Sequence, residues 1–128
     1  MAVCGLDLDK ELLVAFNTTV FDLSGSAQSE VILYNKNHEI LINKIWVKYV
    51  EATSADTGVN FSLGSSGTDN AYFDCTSLVS KDAGSVTEYN TGDLTLSTIP
   101  RDTVVMLYND GGKVGTGTCH IFVAYSVI

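Results

Sequence analysis

Apolar and polar residues alternate with a period of two along most of the chain, and helical periodicity is almost absent. Alternation of this kind predicts β-strands that bury one face. The only candidate for a helical turn is residues 9–16. Six stretches carry the alternation: Val31 and Leu33; Leu41, Ile45, Val47 and Tyr49; Val59, Phe61 and Leu63; Leu94 and Leu96; Val104, Met106 and Tyr108; Cys119, Ile121, Val123, Tyr125 and Val127.

Clusters of Gly, Ser, Asn and Asp separate these stretches, and such residues reverse the chain at low cost. About eight short strands without crossover helices predict an all-β fold, either an antiparallel sandwich or a barrel. We find no linker and no internal repeat, so residues 1–128 are predicted to form one domain. Within it, residues 1–9 are a candidate N-terminal arm, because Val3, Leu6 and Leu8 lie among the acidic residues Asp7 and Asp9.

Two of the predicted strands are apolar on both faces. Strict alternation places Ile40, Ile42 and Trp46 opposite the face that carries Ile45 and Val47. In the last strand, Phe122 and Ala124 likewise lie opposite the alternating set from Cys119 to Val127. A strand that faces water on one side shows polar residues there. The second face is therefore covered, either by the chain's own arm or a loop, or by another subunit.

Composition and charge exclude several classes of partner. The 128 residues carry a formal charge of -8, with 7 basic and 15 acidic side chains. Binding to nucleic acid or to an anionic membrane rests on clustered Lys and Arg, which the chain lacks. The N-terminus has no signal-peptide pattern, and no apolar run reaches membrane-spanning length. We therefore expect a protein made in the cytoplasm, without nucleic-acid or membrane partners.

The search for reactive chemistry gives no catalytic, metal or cofactor site. The three cysteines, Cys4, Cys75 and Cys119, are too far apart for a zinc motif. The two histidines, His38 and His120, have no partner at catalytic spacing. Loop aspartates could hold calcium or form a carboxylate pair, but turn formation explains them without a ligand. A sugar-binding platform could be formed by Trp46, Tyr34, Tyr72, Tyr89 and Tyr108, yet the mid-strand position of Trp46 predicts its burial.

Seven segments between residues 39 and 128 follow one another in a recognisable order of strands and turns: residues 45–53, 58–65, 68–73, 93–96, 99–100, 103–108 and 115–125. This order resembles that of the small all-β structural proteins of tailed-phage virions, especially head decoration (cement) proteins. The resemblance implies a jelly-roll-like antiparallel β-sandwich and a non-enzymatic role.

Proteins of this kind bind the outer shell of the capsid, often as trimers, and clamp neighbouring coat subunits. The resemblance thus implies a protein located on the virion, with the major capsid protein and sister copies as partners. The alternatives are a tail- or fibre-associated sandwich that binds a host glycan, and a small glycan hydrolase or lyase. The candidate subunit or shell interface residues are Val3, Leu6, Leu8, Ile40, Ile42, Trp46 and Phe122.

Overall fold

A computed structural model describes residues 12–16, 21–22, 28–52, 59–78, 82–109 and 117–128. The predicted arm, with Val3, Leu6 and Leu8, lies outside these residues. The described chain contains a 3-10 turn at Thr91–Asp93 and ten strand segments. These are β1 (Leu12–Phe16), β2 (Phe21–Asp22), β3 (Gln28–Tyr34), β4 (Ile40–Tyr49), β5 (Val59–Ser65), β6 (Thr68–Leu78), β7 (Val86–Asn90), β8 (Thr98–Ile99), β9 (Val104–Asn109) and β10 (Thr118–Val127).

The strands form two antiparallel sheets. The first sheet has the order β1-β10-β4-β7, and the second has the order β3-β9-β5-β6. The short β2 pairs with β10 beyond β1, and β8 pairs with β4 beyond β7, so each continues an edge strand. The ten segments thus occupy eight strand positions, which run 1-8-3-6 and 2-7-4-5. This is the double Greek-key arrangement of a jelly roll, and it confirms the predicted antiparallel β-sandwich.

The core lies between the two sheets and is built from the inward side of each alternating strand. Val47, Ile121 and Val123 of the first sheet are fully buried, as are Leu63 and Leu107 of the second. Removing such a side chain from water contributes about 1.5–3 kcal/mol. The central strands β10 and β4 therefore hold their register firmly, and this register fixes which side chains point outward.

A β-bulge in β4 changes the face of two predicted interface residues. Ala124 pairs with Lys44 while the next residue, Tyr125, pairs with Ile42, so Asn43 is left without a partner in the ladder. One extra residue reverses the alternation beyond it. The prediction that Ile40 and Ile42 lie opposite the core face is therefore wrong: both are buried in the core and are at most 1% exposed.

The chain before the second strand also differs from the prediction. The possible helical turn over residues 9–16 is wrong for its described part, because residues 12–16 form the edge strand β1. Among the described residues, no helix is both long enough and apolar enough to cross a membrane.

Candidate interaction surface on the outer face of the first sheet

One row of outward side chains crosses the first sheet from edge to edge. Phe16 of β1 pairs in register with Phe122 of β10, which pairs with Trp46 of β4, which pairs with Glu88 of β7. The rings of Phe16 and Phe122 have their centroids 5.9 Å apart. We call Phe16, Phe122 and Trp46 the aromatic row. It places three large rings side by side on a surface that faces away from the core.

The aromatic row is accessible in part. Phe16 is 54% exposed, and Val14, which lies two residues earlier on the same edge strand, is 49% exposed. Phe122 and Trp46 are partly buried. Trp46 and Phe122 thus lie on the outer face, as the alternation predicts for them, although Trp46 is less buried than expected. Their role in a subunit contact stays a prediction.

Charged groups surround Trp46 and fix its orientation. Its Nε1–H donates a 2.9 Å hydrogen bond to Glu88 Oε1, and Lys44 Nζ lies 3.3 Å from the same oxygen. Lys44 Nζ also lies 5.9 Å from the centroid of the indole ring, within range of a cation–π interaction. The hydrogen bond from Trp46, followed by that from Lys44, lowers the pKa of Glu88 below its ordinary value.

A second lysine, Lys48, lies on the same face, two residues beyond Trp46. It pairs in register with His120 on one side and with Val86 on the other. Lys48 is exposed and forms no ion pair within the described part of the chain. This face therefore combines large apolar groups with positive charge, although the whole chain carries a net charge of -8.

Sequence patterns did not identify the β1 part of this surface. Val14 and Phe16 belong to the stretch that was a candidate helical turn, and every residue from Leu12 to Phe16 is apolar, so alternation gives no signal there. Their position becomes visible only from the pairing of β1 with β10, where Phe16 lies opposite Phe122.

The aromatic residues considered for a sugar platform are not gathered at one loop end in the described structure. Tyr72 is buried, and Tyr89 packs against Phe73 with centroids 4.8 Å apart. Tyr108 donates its hydroxyl to the carbonyl of Ser65. These tyrosines stabilise the sandwich, so the arrangement gives no support to the glycan-binding alternative.

Two of the described aspartates have structural partners. The carboxylate of Asp93 accepts the Asn90 N–H and closes the 3-10 turn. The carboxylate of Asp102 accepts the Asn37 N–H and joins the turn before β9 to the turn after β3. Within the described ranges, no group of three or more His, Cys, Asp or Glu side chains is placed to hold a metal ion.

The chain is similar in fold to a solved phage structure. No protein-family model matches the chain, and no curated protein matches it. A chain of the solved structure described as "Cyanophage Pam1 capsid asymmetric unit" is similar to it, with a TM-score of 0.58 at 14% sequence identity. The likeness covers 97% of this chain and 90% of that one. The two chains are therefore of similar length and share one fold over nearly all of it.

Proposed function

We propose that this protein is a non-enzymatic structural component of a phage virion, most specifically a capsid decoration (cement) protein. It binds the outer shell and stabilises contacts between neighbouring coat subunits. The observation that carries the proposal is the end-to-end fold likeness to a chain of a cyanophage capsid asymmetric unit. A fold alone does not define a function. The exposed aromatic row supplies the second support, because it offers a surface for a protein partner.

The outer face of the first sheet is the proposed contact surface, either for the major capsid protein or for a sister copy. When a partner removes exposed aromatic rings from water, each Å² of buried apolar surface contributes about 25 cal/mol to the free energy of binding, before association costs. Trp46 is held by Glu88 and Lys44 before the partner arrives, so little side-chain entropy is lost on binding. Ile40 and Ile42 take no part, because both are buried in the core.

Sister copies are the second proposed partner, with a homotrimer as the expected assembly. Association on the shell is multivalent, so weak contacts of single copies combine into stable attachment. Val3, Leu6 and Leu8 are proposed to add contacts to a sister copy or to the shell. Because they lie outside the described residues, this part of the proposal rests on their alternation with acidic residues in the sequence.

The proposal is tested by co-sedimentation of the purified protein with capsids of the phage that encodes it, prepared without the protein. The wild-type chain is expected to pellet with the shells and to raise the temperature at which they break. Phe16→Ser removes an exposed ring and is expected to weaken binding about tenfold. Leu96→Ser is the matched control, because Leu96 is as exposed as Phe16 (57% against 54%) but lies on the loop between β7 and β8.

Failure of the wild-type chain to bind any shell, or equal binding by Phe16→Ser and wild type, would overturn the proposal as stated. The place of the protein in the native particle separates the remaining alternatives. Density on the head agrees with decoration, whereas density on the tail or fibre would favour the tail-associated interpretation. A free protein that degrades glycans would favour the enzymatic one.

A further inference from the structure

A cavity of about 330 Å³ lies where the two sheets meet along one side of the sandwich. The edge strand β1 of the first sheet and the edge strand β3 of the second lie next to each other there. The cavity walls are mainly apolar, and their inner part is formed by Leu13, Leu33, Ile40, Tyr125 and Val127. Its volume corresponds to about ten water molecules, at roughly 30 Å³ each. This space fits one large side chain together with part of a neighbouring residue.

The mouth of the cavity is held in place by the buried side chain of Asn35. Its Nδ2 group donates to the carbonyls of His38 (2.9 Å) and Pro100 (2.7 Å), and its Oδ1 accepts the Thr103 N–H (2.8 Å). These bonds connect the turn between β3 and β4 to the turn between β8 and β9. Because Asn35 also lines the cavity, these bonds fix the position of one part of its wall. A site formed before binding loses little free energy to ordering.

The mouth of the cavity carries one positive charge, that of Lys36. Lys36 and His38, on the exposed turn after β3, both line the cavity. Neither side chain forms an ion pair within the ranges that the structure describes. The neighbouring carboxylates of Glu39 and Asp102 do not line the cavity, and Asp102 accepts the Asn37 N–H. In a chain of net charge -8, Lys36 thus attracts a negatively charged group to the mouth, where a ring N–H of His38 can donate a hydrogen bond to it.

Apolar surface continues outside the cavity, which indicates a polypeptide as the occupant. Tyr34 lines the cavity and is nevertheless 53% exposed, and its register partner Val104 on β9 is 39% exposed. A small molecule that filled the cavity would leave both exposed. A chain segment that crosses β3 would cover them, as the surroundings of an anchor residue do in protein interfaces.

We propose that this cavity receives an anchor from a partner protein, consisting of a large apolar side chain next to an Asp or Glu. The apolar side chain enters between Leu13 and Leu33, and the carboxylate lies at Lys36 and His38. The segment around the anchor packs on Tyr34. The inference does not rest on the virion role, since a protein of any function with this cavity would select the same chemistry.

The test is an NMR titration of the full chain with the capped dipeptide acetyl-Phe-Asp-amide. We expect saturable shifts at Leu13, Leu33 and Val127, with acetyl-Phe-Asp-amide bound about threefold more tightly than the neutral acetyl-Phe-Asn-amide. Lys36→Gln is expected to reduce that preference. Lys48→Gln, an exposed lysine on the outer face of the first sheet, is the matched control and is expected to keep it.

Three results would overturn the inference. The first is the absence of saturable shifts at the cavity up to about 10 mM peptide, where even a weak anchor would be detected. The second is equal affinity for the acidic and the neutral peptide. The third is an equal change in the preference for the acidic peptide in Lys36→Gln and Lys48→Gln. A fourth comparison addresses the occupant. Phenylacetate that binds as tightly as the dipeptide would show that the surface around Tyr34 adds nothing, which would contradict a polypeptide partner.

Discussion

The indole of Trp46 and the carboxylate of Glu88 are joined by a 2.9 Å hydrogen bond across the β4–β7 strand pair. Lys44 contacts the same carboxylate oxygen from the neighbouring row, at 3.3 Å. Both contacts favour the ionised carboxylate, so the pKa of Glu88 lies below its ordinary value of 4.5. The orientation of the chain's one tryptophan is therefore coupled to the protonation of a single surface group.

This coupling predicts an acid transition in the fluorescence of Trp46. Because the folded-state pKa of Glu88 is lowered, its contact with Trp46 stabilises the folded chain above the ordinary value of 4.5 and is lost as the pH falls through the lowered pKa. Emission is expected to change in that range while the circular dichroism of the sandwich is unchanged. In Glu88→Gln the transition is expected to disappear, and its persistence would show that another group causes it.

The bulge at Asn43 predicts different costs for two adjacent substitutions. Ile42→Ala removes a fully buried side chain from the core and is expected to cost about 2–5 kcal/mol in the free energy of unfolding. Leu41→Ala, on the outer side and partly buried, is expected to cost about 1 kcal/mol. Urea denaturation measures both. Strict alternation predicts the reverse order, so equal or inverted costs would contradict the bulge.

The sequence predicted the sandwich because most strands bury one face and show it as alternation. β10 has no break between Cys119 and Ala124, so Phe122 was placed on the correct face. β4 was not predictable in the same way. Its bulge lies at Asn43, whose Nδ2 donates to Ser126 Oγ on β10. No local pattern in the sequence indicates a contact with a residue 83 positions away.

The candidate sites were less predictable than the fold for a related reason. The aromatic row needs the pairing of β1 with β10, and the apolar run of β1 carries no period. The cavity combines Leu13, Leu33 and Val127, which come from three strands far apart in the chain. Such sites follow from the order of the strands, which a jelly roll fixes through long connections between non-neighbouring segments.

Asn35 predicts a large loss of stability from one polar substitution. Asn35→Ala would remove the part-buried hydrogen bonds that the side chain makes with the carbonyls of His38 and Pro100 and with the N–H of Thr103. The Pro100 carbonyl would keep only its bond from the Thr103 hydroxyl. We expect a cost of about 2–4 kcal/mol in the free energy of unfolding, measured by urea denaturation. Asn70→Ala, at an exposed position of β6, is the control and is expected to change stability by less than about 0.5 kcal/mol. Similar costs for both would contradict the role of Asn35.

The aromatic row predicts that purified protein associates and that Phe122 contributes to the association. Phe122 lies between Phe16 and Trp46, at the centre of the row, where side chains at an interface contribute most. Sedimentation equilibrium of the wild-type chain is expected to show an oligomer, with a trimer as the expected size. Phe122→Ser is expected to raise the dissociation constant about tenfold or more, because a buried ring is worth about 1.5–3 kcal/mol.

Two controls make this result specific. Leu96→Ser removes a side chain of similar exposure to Phe16 from a loop away from the row, and it is expected to leave the assembly unchanged. Circular dichroism of Phe122→Ser is expected to match the wild type, because Phe122 points away from the core between the sheets. Two results would exclude the aromatic row as a contact between sister copies: a wild-type chain that stays monomeric at millimolar concentration, or an oligomer whose dissociation constant is unchanged by Phe122→Ser. The shell would then be the only proposed partner of the row.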